Sequence, residues 1–174
     1  PKVSQFESDF SKYHHLKHSL AVTSCTTGLH LALSAMGIGP GDEVIVPAFT
    51  WVSTANVVEH CGAKPVFCDV DRETYNIWVE DIESKMTEKT KAIIPVHLFG
   101  LCSDIDAIRD VVGPDVFILE DAACASGALY KDRYAGALGD MASFSFHPRK
   151  SITTGEGGML TTNSDQLSRL AEIM

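Results

Sequence analysis

The sequence has no C-x-x-C pair, no G-x-x-x-x-G-K-[ST] loop and no G-x-G-x-x-G run. A zinc ribbon, a P-loop and a dinucleotide-binding fingerprint are thereby excluded. No apolar run approaches the roughly 20 residues of a spanning helix, and the opening PKVSQFESDF has neither the basic start nor the apolar centre of a signal peptide. The cytoplasm is the expected location. Positive charge is also scarce: 14 Lys plus Arg stand against 23 Asp plus Glu, a net charge of −9, and the basic residues are dispersed. Such a chain offers no broad surface to nucleic acid or to an anionic membrane, so an anionic ligand must be held locally. The five cysteines, Cys25, Cys61, Cys68, Cys102 and Cys124, are odd in number and fit no disulfide framework, so they read as reduced thiols. Seven histidines are present, but His14, His15 and His18 lie in a polar N-terminal stretch while His30, His60, His97 and His147 are isolated, so no metal site is expected.

What is present is a foldable chain of 174 residues, 45% hydrophobic, with no repeat, low-complexity tract or linker inside it. One domain over 1–174 is expected. Val3, Phe6, Phe10 and Tyr13 recur at helical spacing. A buried strand is then expected over 19–23 and a helix over 26–36, stopped by Gly37 and Gly39. Strand-like EVIVP (43–47), KPVFCDV (64–70), KAIIPVH (91–97) and VFILED (116–121) alternate with helix-compatible 51–60, 79–86 and 104–112. Continuous apolar strands separated by short helices imply parallel strands covered on both faces, a three-layer α/β/α arrangement. Near the end, LYKDRYAG resembles a turn between short strands, and 141–146 and 157–163 read as strands. A last helix starts near Asn163, Ser164 or Asp165 and is cut off in mid-pattern at Met174.

Ligands of open α/β sheets gather beyond the carboxyl ends of the strands, so the loops there carry the chemistry. Four stand out. TSCTTG, after the first strand, places small residues at a helix start, which suits either a phosphate seat or an ordinary cap. AFTWVSTAN places Trp51 where its indole can stack on a flat ligand or anchor a core. Asp121 ends an apolar strand, where its carboxylate either caps the next segment or keeps a ligand nitrogen protonated. Lys150 lies in the Gly/Thr-rich HPRKSITTGEGG, as a solvated surface group or a nucleophile. Together they form the set that pyridoxal phosphate (PLP) requires: a Schiff-base lysine, an acid for the pyridine nitrogen, an aromatic for the ring face and a helix-terminus phosphate cup.

The segments SCTTGLHLAL, GDEVIVPAFTWVSTANVV, PVFCDVD, KAIIPVHLFG, EDAACASGA and SFHPRKSITTGEGGML occur in an order and spacing that resemble the sugar-aminotransferase family named after DegT, DnrJ, EryC1 and StrS. The resemblance covers nearly the whole chain, and SCTTGLH and FTWVST look like the branch that aminates UDP-linked 4-keto-arabinose. It implies the large domain of a fold type I PLP enzyme, with mostly parallel strands. Lys150 would be the Schiff-base lysine that also moves the substrate proton, and Asp121 would pair with the pyridine nitrogen. Trp51 would cover the ring, and Ser145 with Thr26 and Thr27 would hold the phosphate. Cys124 departs from the family pattern, since relatives usually carry His, Gln or Glu there, near the cofactor's phenolic oxygen. The implied partners are a nucleotide sugar and an amino-acid donor, usually glutamate, and the implied assembly is a homodimer. Family members are about twice this length, so an N-terminal arm and a C-terminal small domain are expected to be absent from 1–174.

Four other readings, two of them enzymes, share parts of this pattern. Relatives that dehydrate sugars replace the lysine by histidine, which Lys150 opposes. A keto-cyclitol acceptor of the aminoglycoside type keeps transamination and changes only the substrate. A doubly wound nucleotide binder would need one of the missing glycine fingerprints. A non-catalytic module for regulation or assembly would retain the fold without needing Lys150, Asp121 and Trp51 together.

Overall fold

Along β2 (Glu43–Pro47), Val44 and Val46 pack into one cluster of buried side chains and Ile45 into another. That alternation repeats in Ala92 and Ile94 against Ile93, and in Leu119 against Ile118, so the sheet is apolar on both faces and must be covered twice. In the computed structural model, which describes residues 2–174, helices supply both covers. On one side lie α2 (Cys25–Ala35), α3 (Ser53–His60) and α6 (Asp165–Glu172), through Leu29, Leu33, Val57, Val58, Leu167 and Ala171. On the other lie α4 (Val79–Lys85) and α5 (Ile105–Val112), through Ile82, Ile105 and Ile108, and α1 (Lys2–Tyr13), through Phe10. The three-layer α/β/α arrangement expected from the sequence is the one observed.

The remaining strands are β1 (His18–Val22), β3 (Lys64–Cys68), β4 (Thr90–Ile93), β5 (Phe117–Asp121), β6 (Leu129–Tyr130), β7 (Arg133–Tyr134), β8 (Met141–Ser145) and β9 (Gly158–Thr162). Seven of them form one sheet in the order β1-β9-β8-β5-β4-β2-β3, while β6 and β7 pair as the small hairpin expected around LYKDRYAG. The pairs β8–β5, β5–β4, β4–β2 and β2–β3 are parallel. The sheet is mostly parallel, as expected, and its exception is β9, which runs antiparallel to both β8 and β1. Its twelve-residue connection from β8 contains no helix, and a tight return of that kind can only reverse the chain. One departure concerns β1. The sequence reads as a buried strand, yet β1 is half-buried along its length because it is the sheet's edge.

Helix ends were the other displaced features. Ser24 caps α2, its Oγ accepting from the amide of Thr27, and Ser164 caps α6 in the same way with Leu167. The helix expected from Trp51 begins at Ser53, which leaves Trp51 outside it. Gly28 lets α2 lie hard against β8: a Cβ there would meet Ser143 Oγ at 2.3 Å. Ser143 also donates to the Cys25 carbonyl (2.9 Å), so the first turn of α2 is fixed to β8 from two sides.

Candidate active site

A cavity of about 310 Å³ opens where β5 and β8 end and α2 begins. Asp121, Lys150, Ser145, Thr26 and Trp51 all contribute to its wall. Five of the residues singled out in the sequence are therefore brought together, although they come from five separate stretches of chain.

Asp121 is held from the backbone upward. Its amide donates to the Pro95 carbonyl (2.9 Å) and its carbonyl accepts from the His97 amide (3.0 Å), which ties the end of β5 to the segment after β4. The carboxylate is 4% exposed. Thr54 Oγ1 donates to Oδ2 at 3.0 Å and the Ala123 amide to Oδ1 at 3.2 Å, with the Cys25 thiol 3.7 Å from Oδ1. Burial pushes this carboxyl above the ordinary aspartate range, against the pull of the Ala123 and Thr54 hydrogen bonds and the more distant charge of Lys150. No cation among the described residues touches it, so a buried carboxylate satisfied there only by neutral donors is suited to a positively charged N–H donor arriving with a ligand. The same burial, with Asp121 alongside, pushes the Cys25 thiol well up and keeps it protonated.

One residue back along β5, Glu120 points to the opposite face and is fully buried. It accepts from the amides of Gly136 (2.8 Å), Leu138 (2.8 Å) and Gly139 (2.7 Å), and its Oε2 lies 2.8 Å from His97 Nε2. Because His97 Nδ1 accepts from the Ser103 amide (3.1 Å), the ring proton sits on Nε2 and is donated to Glu120. This pair fixes the chain that feeds β8 to the same strand that presents Asp121.

Lys150 comes from residues 146–157, the connection between β8 and β9. The connection is closed at its base by Phe146 N to Gly157 O (2.9 Å) and braced by Thr154 N and Thr153 Oγ1 to Phe146 O (3.1 and 2.9 Å). Residues 151–156 are exposed, and Gly155 takes a positive φ of 85° that L side chains rarely adopt. Lys150 Nζ lies 3.1 Å from Cys124 Sγ. Ser145, at the end of β8, accepts weakly from the His147 amide (3.4 Å).

The other sequence candidates fall differently. Trp51 reaches the cavity but is 70% exposed, so its indole face is open to a ligand rather than part of a core. Thr26 faces the cavity at the α2 N-terminus, where backbone N–H groups and the helix dipole favour an anion. Thr27 is exposed and lies off the cavity wall, bonded to Ser24 and to Thr23 Oγ1 (3.0 Å). Cys124 likewise lies off the wall and meets the site only through Lys150. Sequence reasoning missed Thr54, Cys25, Glu120 and His97. Thr54 has a legible signal in its place three positions after Trp51, on the first turn of a helix. The other three are set by contacts between segments far apart in sequence.

The DegT/DnrJ/EryC1/StrS aminotransferase family model matches residues 1–174. The chain belongs to this family. A GDP-perosamine synthase of Caulobacter vibrioides is 51% identical over 167 residues, covering 95% of this chain and 45% of that protein. An aminotransferase from Psychrobacter cryohalolentis superposes with a TM-score of 0.96 at 42% identity, covering 98% of this chain and 44% of that one. A Streptococcus pneumoniae candidate sugar aminotransferase, solved in its PMP form, gives a TM-score of 0.94 at 34% identity over 99% of this chain and 49% of its own. The chain thus spans about half the length of the relatives it matches. No helix among the described residues is long and apolar enough to cross a membrane.

Proposed function

We propose that residues 1–174 form the cofactor-binding large domain of a PLP-dependent aminotransferase. It moves an amino group from an amino acid, glutamate first among candidates, to a nucleotide-linked keto sugar for polysaccharide synthesis. The observation that carries the reading is the convergence of Lys150 and the buried, cation-free Asp121 on one cavity. PLP, when bound, supplies an electron sink for the carbanion formed as the substrate loses its proton.

The residues fit that group. Asp121 would hold a protonated pyridine nitrogen, and the burial that makes its bare charge costly makes that ion pair favourable. Ser145 and Thr26, with the α2 N-terminus, would hold the phosphate. Trp51 would lie over the ring and keep water from one face. Thr27 would act one step back, by keeping the α2 cap in place. Lys150 would anchor the cofactor and, once released, carry the proton between the substrate carbon and the cofactor, a task that suits a long side chain on an exposed loop. Cys124, 3.1 Å from Nζ, would steer that amine between turnovers.

The acceptor is best sought among GDP-linked keto sugars, since the C. vibrioides relative is named for a GDP-linked product; a UDP-linked 4-keto sugar is the second choice. A homodimer working in the cytoplasm completes the proposal. To test the core of it, the full-length protein is mixed with PLP, scanned in the near-visible, reduced with borohydride and mapped by peptide mass. A band that becomes fixed to Lys150 supports the reading. A dimer that binds no PLP, or fixes it elsewhere, overturns it.

A further inference from the structure

Lys150 Nζ and Cys124 Sγ lie 3.1 Å apart at the edge of the cavity, and the thiol is exposed. The other four thiols are withheld from chemistry. Cys25 is buried and its thiol is pushed well up, Cys68 is pushed up to about 12 and Cys102 to about 11, and burial also raises Cys61. Cys124 therefore combines access with a neighbouring amine at hydrogen-bond distance. The amine also has freedom to move. It stands on an unbranched four-carbon stem, on a connection whose residues 151–156 are exposed.

We propose that Cys124 is a peroxide-sensitive site whose oxidised form is captured by Lys150 as a sulfur–nitrogen cross-link. In the first step the Cys124 thiolate attacks hydrogen peroxide. A sulfur–oxygen bond forms, the oxygen–oxygen bond breaks, and one water leaves after protonation. Sulfur is oxidised by two electrons and the peroxide is reduced by two. In the second step the deprotonated Lys150 amine attacks that sulfur. A nitrogen–sulfur bond forms, the sulfur–oxygen bond breaks, and the departing hydroxide takes a proton from nitrogen and leaves as the second water. The protein loses two hydrogens in all. A reducing thiol reverses the link by attacking sulfur and releasing the amine, and a second thiol then frees Cys124 and leaves as the disulfide.

The cross-link stands on geometry alone. Its consequence, a reversible block of the amine, rests on the amino-transfer reading proposed above. In the cofactor-free full-length protein, a few equivalents of hydrogen peroxide are expected to join the Cys124 and Lys150 peptides at a mass two hydrogens below their sum. Dithiothreitol is expected to restore both. Cys124→Ser should abolish the joined peptide, and Lys150→Arg, which keeps the charge on an exposed loop, should leave a sulfenic acid that dimedone traps on Cys124. Cys124 recovered as an untouched thiol, or as a sulfinic acid beside a Lys150 that still reacts with amine reagents, overturns the proposal. Adding PLP before peroxide separates the two readings. If PLP fixes to Lys150, the yield of joined peptide should fall several-fold. A protein that cross-links but never binds PLP refutes only the aminotransferase reading, and one that fixes PLP to Lys150 but never cross-links refutes only the switch.

Discussion

The two sides of the cavity are built by opposite means. On the β5 side, Asp121 and Glu120 are buried, and their carboxylates are held by donors from neighbouring loops, α2 and α3. On the lysine side, residues 146–157 are closed by a few bonds at the base and stand in solvent beyond it. In the proposed reaction, an acid that must stay in one place throughout is set in the core, and an amine that must travel is set on a short exposed tether. Rigidity and mobility are thus assigned by burial rather than by distance along the chain.

Four substitutions put that division to the test. Removing the travelling group should have the largest effect: Lys150→Ala should cut amino transfer about a thousandfold or more, with little change in the urea midpoint of a side chain that packs against so little. Equal losses of activity and stability would mean the loop is part of the core after all. Asp121→Asn should slow transfer about a hundredfold while raising the melting temperature of the cofactor-free protein. The sign follows from its raised pKa. The folded state holds this proton more tightly than the unfolded chain does, so Asp121's contribution to stability is full below the ordinary aspartate range and is lost as pH rises through the raised value. The variant's advantage in melting temperature should therefore grow as pH rises from the ordinary aspartate range through the raised value, and an advantage that shrinks over that rise would contradict the burial argument.

Glu120→Gln turns one acceptor oxygen into a donor that faces the His97 ring proton and the Gly136 amide. A loss of about 2 kcal/mol in urea unfolding is expected, together with weaker PLP binding because Asp121 shares the strand. Unchanged stability would show that the loop at 135–139 relaxes freely. Smallest of all, Ser24→Ala should cost about 1 kcal/mol through the α2 cap and weaken PLP binding slightly, through the phosphate rather than the ring nitrogen.

The same division explains how much the sequence disclosed. The inner strands of the parallel half were legible because Val44, Ile45, Val46 and their counterparts are buried on both faces and so form continuous apolar runs. Lys150 and Asp121 were legible because each follows such a run. Polar residues that act across the sheet were not. Nothing local in VHLFG marks His97 as Glu120's partner, since the contact exists only once β4 and β5 lie side by side. Thr27 is a different case: a hydroxyl at a helix start serves a phosphate or a cap equally well in sequence, and only the fold shows that it bonds Ser24. The reversed direction of β9 was hidden because alternation in a strand carries no arrow.

That reversal also fixes the order in which the molecule can assemble. β1 touches the sheet only through β9, and Lys17 reaches Asn163, 146 positions away, to close the edge. On a ribosome, β1 would emerge early and wait, while β2 to β5 have parallel neighbours made soon after them. Until β9 is delivered, one side of β8 stays open to unrelated strands, and the lysine connection has only one of its two posts. Completion of the sheet edge and closure of the lysine tether are then a single event, so a nascent chain arrested before β9 would have no formed site to expose.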